Sequence, residues 1–259
     1  MIEYHDFLDL TGRHILVTGA TSGIGRQTAI LASEYGAKIS IIGRREEKLR
    51  ETLSMMSGEN HDVTVFDLSD INGIEPLIKT LVEKNGPFDG YVQCAGISKD
   101  QPINSVRYEK IHEIMLTNFY SFFELVRVIS RKGRFSPGLS IVGVSSTAAE
   151  CGVASNTAYS ASKAAMNGAM RSMAKELSTK GIRVNTILPG PTNTEMYREY
   201  LTLRSGVKEQ DAPLSSASRN YLGINEPLDV ANAALFLLSP ASRMITGIEL
   251  PVDAGYTSC

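Results

Sequence analysis

Tyr159 and Lys163 lie four residues apart in the segment Ala158-Tyr159-Ser160-Ala161-Ser162-Lys163, a spacing that puts both on one face of a helix. A free tyrosine has a pKa of about 10 and is a poor proton donor or acceptor at neutral pH. A neighbouring ammonium favours the phenolate and brings the phenol toward the working range, so the pair could serve as a general acid/base. Taken alone, an ordinary surface pair is the plainer reading. A second motif changes the odds. Gly19-Ala20-Thr21-Ser22-Gly23-Ile24-Gly25 follows directly on the apolar run His14–Thr18 and opens an amphipathic segment. Glycines serve where a chain turns sharply, where backbone approaches a pyrophosphate, and where helix packs on strand. The helix that follows offers free N–H groups and a positive dipole end. A glycine-rich turn without a ligand is the alternative, but the strand–turn–helix context favours a dinucleotide.

The next apolar run ends Ile41-Ile42-Gly43-Arg44-Arg45. A carboxylate at such a strand end would hold the ribose 2′-OH of NAD, whereas an arginine accommodates the 2′-phosphate of NADP. Cations are not favoured at a helix N-terminus. An anionic partner therefore explains Arg44 and Arg45 better than a solvated helix start does. The reading prefers NADP and keeps NAD as the second choice.

Positioning these residues requires alternating elements. Strand-like runs fall at 14–18, 38–42, 62–66, 90–94, 139–144, 183–188 and 248–252, with helix-like segments at 24–35, 46–56, 71–84, 105–131, 158–178 and 228–238. Most of the strand runs are continuously apolar, the pattern of strands covered on both faces. The chain is therefore read as α/β: a Rossmann-type, doubly wound parallel sheet of seven strands with helices on both faces. No linker or charge run divides it, so residues 1–259 are expected to form a single dinucleotide-binding and catalytic domain. The stretch 189–227 lacks strong periodicity and is expected to cover the substrate.

Composition removes other classes. The 259 residues carry a formal net charge of -2, which supplies no reason to propose a nucleic acid or a membrane surface as partner. The cysteines, three in number, form no CxxC pair, and the four histidines show no metal-binding spacing, so neither a disulfide framework nor a metal site is expected. No apolar run is long enough to span a bilayer, and MIEYHDFLDL has no signal-peptide pattern. A cytoplasmic setting is the expectation.

Thr18–Gly25, reading TGATSGIG, resembles the fingerprint of the short-chain dehydrogenase/reductase family in its compact branch, similar to 3-oxoacyl-carrier-protein reductases. Ser146, thirteen positions before Tyr159, and Asn118 match that family's Asn, Ser, Tyr, Lys tetrad in order and spacing. The resemblance implies hydride transfer between NADP(H) and a carbonyl or secondary alcohol. Ser146 would orient the carbonyl oxygen, Tyr159 would donate or remove its proton, and Lys163 would bind the nicotinamide ribose and lower the tyrosine pKa. Asn118 would hold a water linking Lys163 to solvent. The implied cofactor contacts are Gly19, Thr21, Ser22, Gly23, Ile24 and Gly25 in the turn and Arg44 and Arg45 after the second strand. To these it adds Asp67 and Leu68 beside the adenine, Ala95 and Gly96 after the fourth strand, and Tyr159 and Lys163 themselves. Asn185 to Thr194, NTILPGPTNT, resembles the nicotinamide-side segment, adding Pro189, Gly190, Thr192 and Thr194.

The sequence departs from the family pattern at three places. Ser22 stands where NADP-using relatives often carry a basic residue, Gln93-Cys94 replaces Asn-Asn, and Ala254 replaces a common glycine. Cys94 is read as a buried filler. The covering stretch offers Met196, Tyr197, Tyr200, Leu201, Leu203 and Tyr221 among Arg198, Arg204 and Arg219, which suits an apolar or amphipathic carbonyl. The cluster Arg131-Lys132-Gly133-Arg134 could receive an acidic acyl carrier protein or simply complement a helix C-terminus. Small residues on the helices bearing Asn118 and Tyr159 resemble those through which relatives assemble, so a homo-oligomer, tetramer or dimer, is expected. A nicotinamide-nucleotide sensor or scaffold without turnover is the alternative from another class; longer sugar-nucleotide epimerases or dehydratases use a different glycine spacing.

Overall fold

The computed structural model describes residues 7–205 and 221–258. All seven strands are present: β1 (His14–Thr18), β2 (Lys38–Gly43), β3 (Asp62–Val65), β4 (Phe88–Gln93), β5 (Phe135–Val144), β6 (Arg183–Pro189) and β7 (Glu249–Val252). They form one sheet in the order β3-β2-β1-β4-β5-β6-β7, and every pairing is parallel. The order reverses between β1 and β4. Loops leaving those two strands diverge, which opens a crevice at the C-terminal ends of the strands.

The helices are α1 (Gly23–Glu34), α2 (Glu46–Ser54), α3 (Ile74–Asn85), α4 (Tyr108–Met115), α5 (Ser121–Ile129), α6 (Thr157–Leu177), α7 (Glu195–Ser205) and α8 (Pro227–Leu238). β1 is buried along its whole length. Ile15 and Val17 join a core with residues of α1 and α8, while Leu16 joins another with residues of α3, α5 and α6. That two-sided covering is why the run reads as continuously apolar. His14 opens the strand without penalty because its Nε2 meets Ser40 Oγ at 2.8 Å.

Two regions differ from the sequence-based expectation. The single helix expected over 105–131 is three pieces, with a π-helical turn at Leu116–Tyr120 between α4 and α5. Such turns interrupt the i→i−4 ladder and gather at functional sites; this one carries Asn118. The stretch 189–227 is partly regular: Pro189 closes β6, α7 follows, and Pro227 opens α8 at its first turn. Arg219 and the side chains of Leu203 and Arg204 lie outside the described residues. Ala254 takes φ +52, the left-handed region that glycine adopts freely and an alanine enters only at a cost of about 1–2 kcal/mol.

No group of three or more His, Cys, Asp or Glu side chains among the described residues is arranged to hold a metal. No helix among them is long and apolar enough to cross a membrane.

Candidate active site

The glycine turn is shaped by contact as well as by conformation. Gly19 and Gly23 adopt φ +68 and +54, which side chains rarely tolerate. A Cβ on Gly19 would lie 2.6 Å from the Ala95 nitrogen, and one on Gly25 would lie 2.4 Å from the Gly19 oxygen. The turn is thereby pressed onto the end of β4. A Cβ on Gly23 would sit 3.0 Å from Thr194 Cγ2, so the loop after β6 closes the other side. Ser22 enters α1 in an extended conformation without a side-chain cap, and the first turn holds no acidic residue. Uncapped donors and an unopposed positive dipole end are what a pyrophosphate requires. Ile24, beside them, packs against the core. The cradle fits a dinucleotide.

At the end of β2 the two arginines diverge. Arg44 Nη1 lies 3.8 Å from Asp67 Oδ2, with both side chains exposed. Asp67 also accepts from the Ser69 backbone nitrogen at 3.0 Å, the local turn-closing use of an aspartate, and Leu68 is buried in the core below it. Arg45 reaches back across the glycine turn to Thr21 Oγ1 at 3.1 Å, Ser22 Oγ at 3.2 Å and Glu195 Oε2 at 3.1 Å. The arginines at a strand end that itself carries no carboxylate thus each face one brought from elsewhere in the fold. Partial burial raises the Glu195 carboxyl, but hydrogen bonds from Arg45 and Ser22 hold it below the ordinary range.

The tetrad residues come together at the ends of β4 and β5. Ser146 follows β5 and caps a short 3-10 turn, its Oγ accepting from the Ala148 nitrogen at 3.1 Å. Its hydroxyl is near enough to Tyr159 to lower the phenol's pKa, and the Tyr159 ring lies 5.6 Å from Lys163 Nζ. Lys163 is buried and donates from Nζ to the Val144 oxygen at 2.7 Å. Burial pushes its ammonium down to about 8. Desolvation moves the Tyr159 phenol upward, and the nearby Ser146 hydroxyl only partly opposes it. The lowering expected of the tyrosine belongs to the state in which Lys163 and an oxidised nicotinamide both face it.

Asn118 ties two elements of the site together. Its Oδ1 accepts from the Ile97 nitrogen at 2.8 Å, and its Nδ2 donates to the Ile97 oxygen at 3.0 Å and Ser162 Oγ at 2.9 Å. The side chain clamps the loop after β4 onto α6, with both Nδ2 hydrogens committed and one Oδ1 lone pair left to accept from a water. Between them, Gly96 approaches so closely that a Cβ there would lie 3.3 Å from Asn118 Oδ1 and 3.5 Å from Lys163 Nζ.

The two departures in β4 have a physical account. Gln93 is fully buried. Its Oε1 accepts from Tyr91 Oη at 2.5 Å and Thr18 Oγ1 at 2.8 Å, and its Nε2 donates to the Ala95 oxygen and Ser121 Oγ, both at 3.2 Å. Thr18 Oγ1 in turn accepts from the Ala95 nitrogen at 3.3 Å. This closed network fixes the backbone on which the glycine turn rests. Cys94 packs with the core, and burial pushes its thiol up to about 12, as expected of an inert filler.

On the remaining side, the Gly190 nitrogen donates to the Val252 oxygen at 2.9 Å, and a Cβ on Gly190 would lie 2.9 Å from Asp253 Cα. Pro189 pairs with Val252 in the sheet. Thr192 is buried and donates to the Gly190 oxygen at 2.9 Å. Thr194 Oγ1 accepts from the Tyr197 nitrogen at 3.2 Å, so it caps α7. Sequence reading missed Glu195, Ser162 and Gln93 as parts of the site. Their partners lie 150, 44 and 75 positions away, and no local signal announces such pairs.

A family model described as enoyl-(acyl carrier protein) reductase matches residues 19–257. A 3-oxoacyl-[acyl-carrier-protein] reductase of Vibrio harveyi is 32% identical over 249 residues, covering 96% of this chain and 98% of that protein. An L-xylulose reductase of Caenorhabditis elegans is 30% identical over 252 residues, covering 96% and 98%. Among solved structures, a dehydrogenase/reductase from Sinorhizobium meliloti superposes with a TM-score of 0.85 at 28% identity, over 97% of this chain and 98% of that one.

Proposed function

The chain belongs to the short-chain dehydrogenase/reductase family and is an NAD(P)-dependent oxidoreductase, and within that family we propose a carbonyl reductase that prefers NADP(H). The observation that carries this reading is the gathering of Ser146, Tyr159 and the buried Lys163, whose Nζ lies 5.6 Å from the Tyr159 ring, beside the glycine cradle. A bound nicotinamide supplies a hydride to the carbonyl carbon, or takes one from the alcohol. Ser146 donates to the substrate oxygen and orients it. Tyr159, protonated at rest, gives its proton to that oxygen as negative charge develops there. Lys163 would hold the nicotinamide ribose, and its positive charge would stabilise the phenolate. Asn118 holds the loop after β4 in place rather than touching the reacting atoms. Gly19, Gly23 and Gly25 admit the pyrophosphate, Ala95 and Gly96 flank it, and Pro189, Gly190, Thr192 and Thr194 shape the nicotinamide end.

The preference for NADP(H) is supported by Arg44 and Arg45, which flank the place of the ribose 2′ position. The Arg45 guanidinium lies on Ser22, so a cation reaches the turn although the turn itself has none. α7 and the stretch around it are assigned to cover the substrate. A 3-oxoacyl thioester is the proposed substrate class, by similarity to the carrier-protein reductases. The Arg131–Arg134 cluster gives carrier docking little support, because Arg131 and Arg134 both pair with Glu75. A homo-oligomer through the helices bearing Asn118 and Tyr159 completes the reading.

The test follows nicotinamide absorbance with a panel of 3-oxoacyl thioesters, sugars and simple ketones, using NADPH and NADH. Tyr159→Phe should lower kcat by at least about a hundredfold and leave NADPH binding intact. Substantial turnover by that variant, or none by the wild type with any carbonyl, would refute the assignment.

A further inference from the structure

Arg45 stands at the start of α2, yet its Nη2 lies 3.1 Å from Thr21 Oγ1, 3.2 Å from Ser22 Oγ and 3.1 Å from Glu195 Oε2. Three acceptors crowd one nitrogen that carries two hydrogens. Arg45 Nε and Nη1 make no hydrogen bond among the described residues. Glu195 also lines a cavity of about 450 Å³ beside the glycine turn, together with Ser22, Gly23, Arg26 and Arg198. In a cleft furnished with arginines and helix N–H groups, the carboxylate is the group out of place. Its structural use is slight, because Thr194 already caps α7 and a half-exposed ion pair contributes little.

We propose that Glu195 is a cofactor-selectivity residue whose carboxylate competes with the 2′-phosphate of NADP for the Arg45 guanidinium. The proposal rests on the reading above that the 2′-phosphate docks at the end of β2. Two anions sharing one guanidinium repel each other, and the phosphate brings the larger charge. NAD has only a hydroxyl at that position and is nearly indifferent to Glu195. The residue therefore narrows the margin by which the protein prefers NADP(H) over NAD(H).

The experiment measures dissociation constants for NADPH and NADH by nicotinamide fluorescence, in a chain that has no tryptophan to interfere, and for 2′,5′-ADP by calorimetry. The proteins are the wild type, Glu195→Gln, Glu195→Asp, Arg45→Ala, Arg44→Ala and the Arg45→Ala/Glu195→Gln double variant, each checked for folding by thermal melting. Glu195→Gln should tighten NADPH and 2′,5′-ADP about fivefold at low salt and change NADH less than twofold. Glu195→Asp should fall between it and the wild type. In the Arg45→Ala background the Glu195→Gln effect should shrink to what direct repulsion alone supplies. If Arg45→Ala weakens NADPH but Glu195→Gln leaves the NADPH/NADH ratio unmoved, Glu195 is only the first residue of a helix and the proposal fails alone. If neither Arg45→Ala nor Arg44→Ala alters NADPH binding, the 2′-phosphate docks elsewhere, and the cofactor reading fails together with this one.

Discussion

At the scale of single residues, Lys163 shows the tension between stability and chemistry. A buried ammonium with one carbonyl partner is an expensive group to fold around. Its pKa of about 8 in the folded chain lies below the ordinary lysine value of about 10.4, so between those values the unfolded chain binds more protons than the folded one. Stability attributable to this group therefore rises as pH climbs from about 8 toward about 10, and the full penalty, about 3 kcal/mol, applies below 8. Lys163→Met should be more stable than the wild type at pH 7, by about 1–3 kcal/mol once the lost Val144 hydrogen bond is counted. Denaturant titrations at pH 7 and pH 10 should show that advantage shrinking; an advantage independent of pH would mean that the ammonium is not its source. The same variant should be inactive, which identifies the lysine as retained for function. Sequence reading singled out Tyr159 and Lys163 by type and spacing, and Ser146 by resemblance to the family's tetrad. It could not foresee the desolvation that raises the tyrosine before a cofactor arrives, because desolvation depends on neighbours that spacing does not name.

At the scale of elements, the site is built where strands end. β1 hands the chain to the glycine turn, β4 presents Ala95 and Gly96 against it, and β5 delivers Ser146 to face α6. The buried Gln93 network ties the first two together through Thr18 and Ala95. Replacing one member of such a network leaves its partners unsatisfied in a low-dielectric interior. Gln93→Leu should cost about 3 kcal/mol in urea unfolding and weaken binding of both nicotinamide cofactors equally. A cofactor-specific loss would contradict a purely positioning role. The strand positions were legible because apolar runs of this length, each followed by an amphipathic segment, have few other uses. The π-helical turn at Leu116–Tyr120 was not. Helical periodicity runs through it with little change, and the partners of Asn118, Ile97 and Ser162, lie far along the chain.

At the scale of the whole molecule, the outer face of α4, the π-helical turn and α5 is unusually aromatic. Tyr108 and Phe123 are 72% and 46% exposed, and Phe119 joins Phe123 and Tyr120 at ring distances of 6.2 and 5.6 Å. Clustered exposed aromatics mark association surfaces, and a two-fold axis there would pair the helices that carry Asn118. Light scattering should give a mass that is a multiple of 28.1 kDa, and Phe123→Asp should shift it to a smaller species; an unchanged assembly would place the interface elsewhere. The sequence alone determined the parallel doubly wound sheet, the single domain and the residue types of the site, because periodicity, glycine spacing and the Tyr–Lys interval are local properties of the chain. Only the tertiary structure decided which groups those residues answer to: Glu195 against Arg45, Val144 against Lys163, and Gln93 beneath the glycine turn. Charge, burial and hydrogen-bond competition act over a few ångströms of space, and the folded path alone brings residues 150 positions apart within that reach.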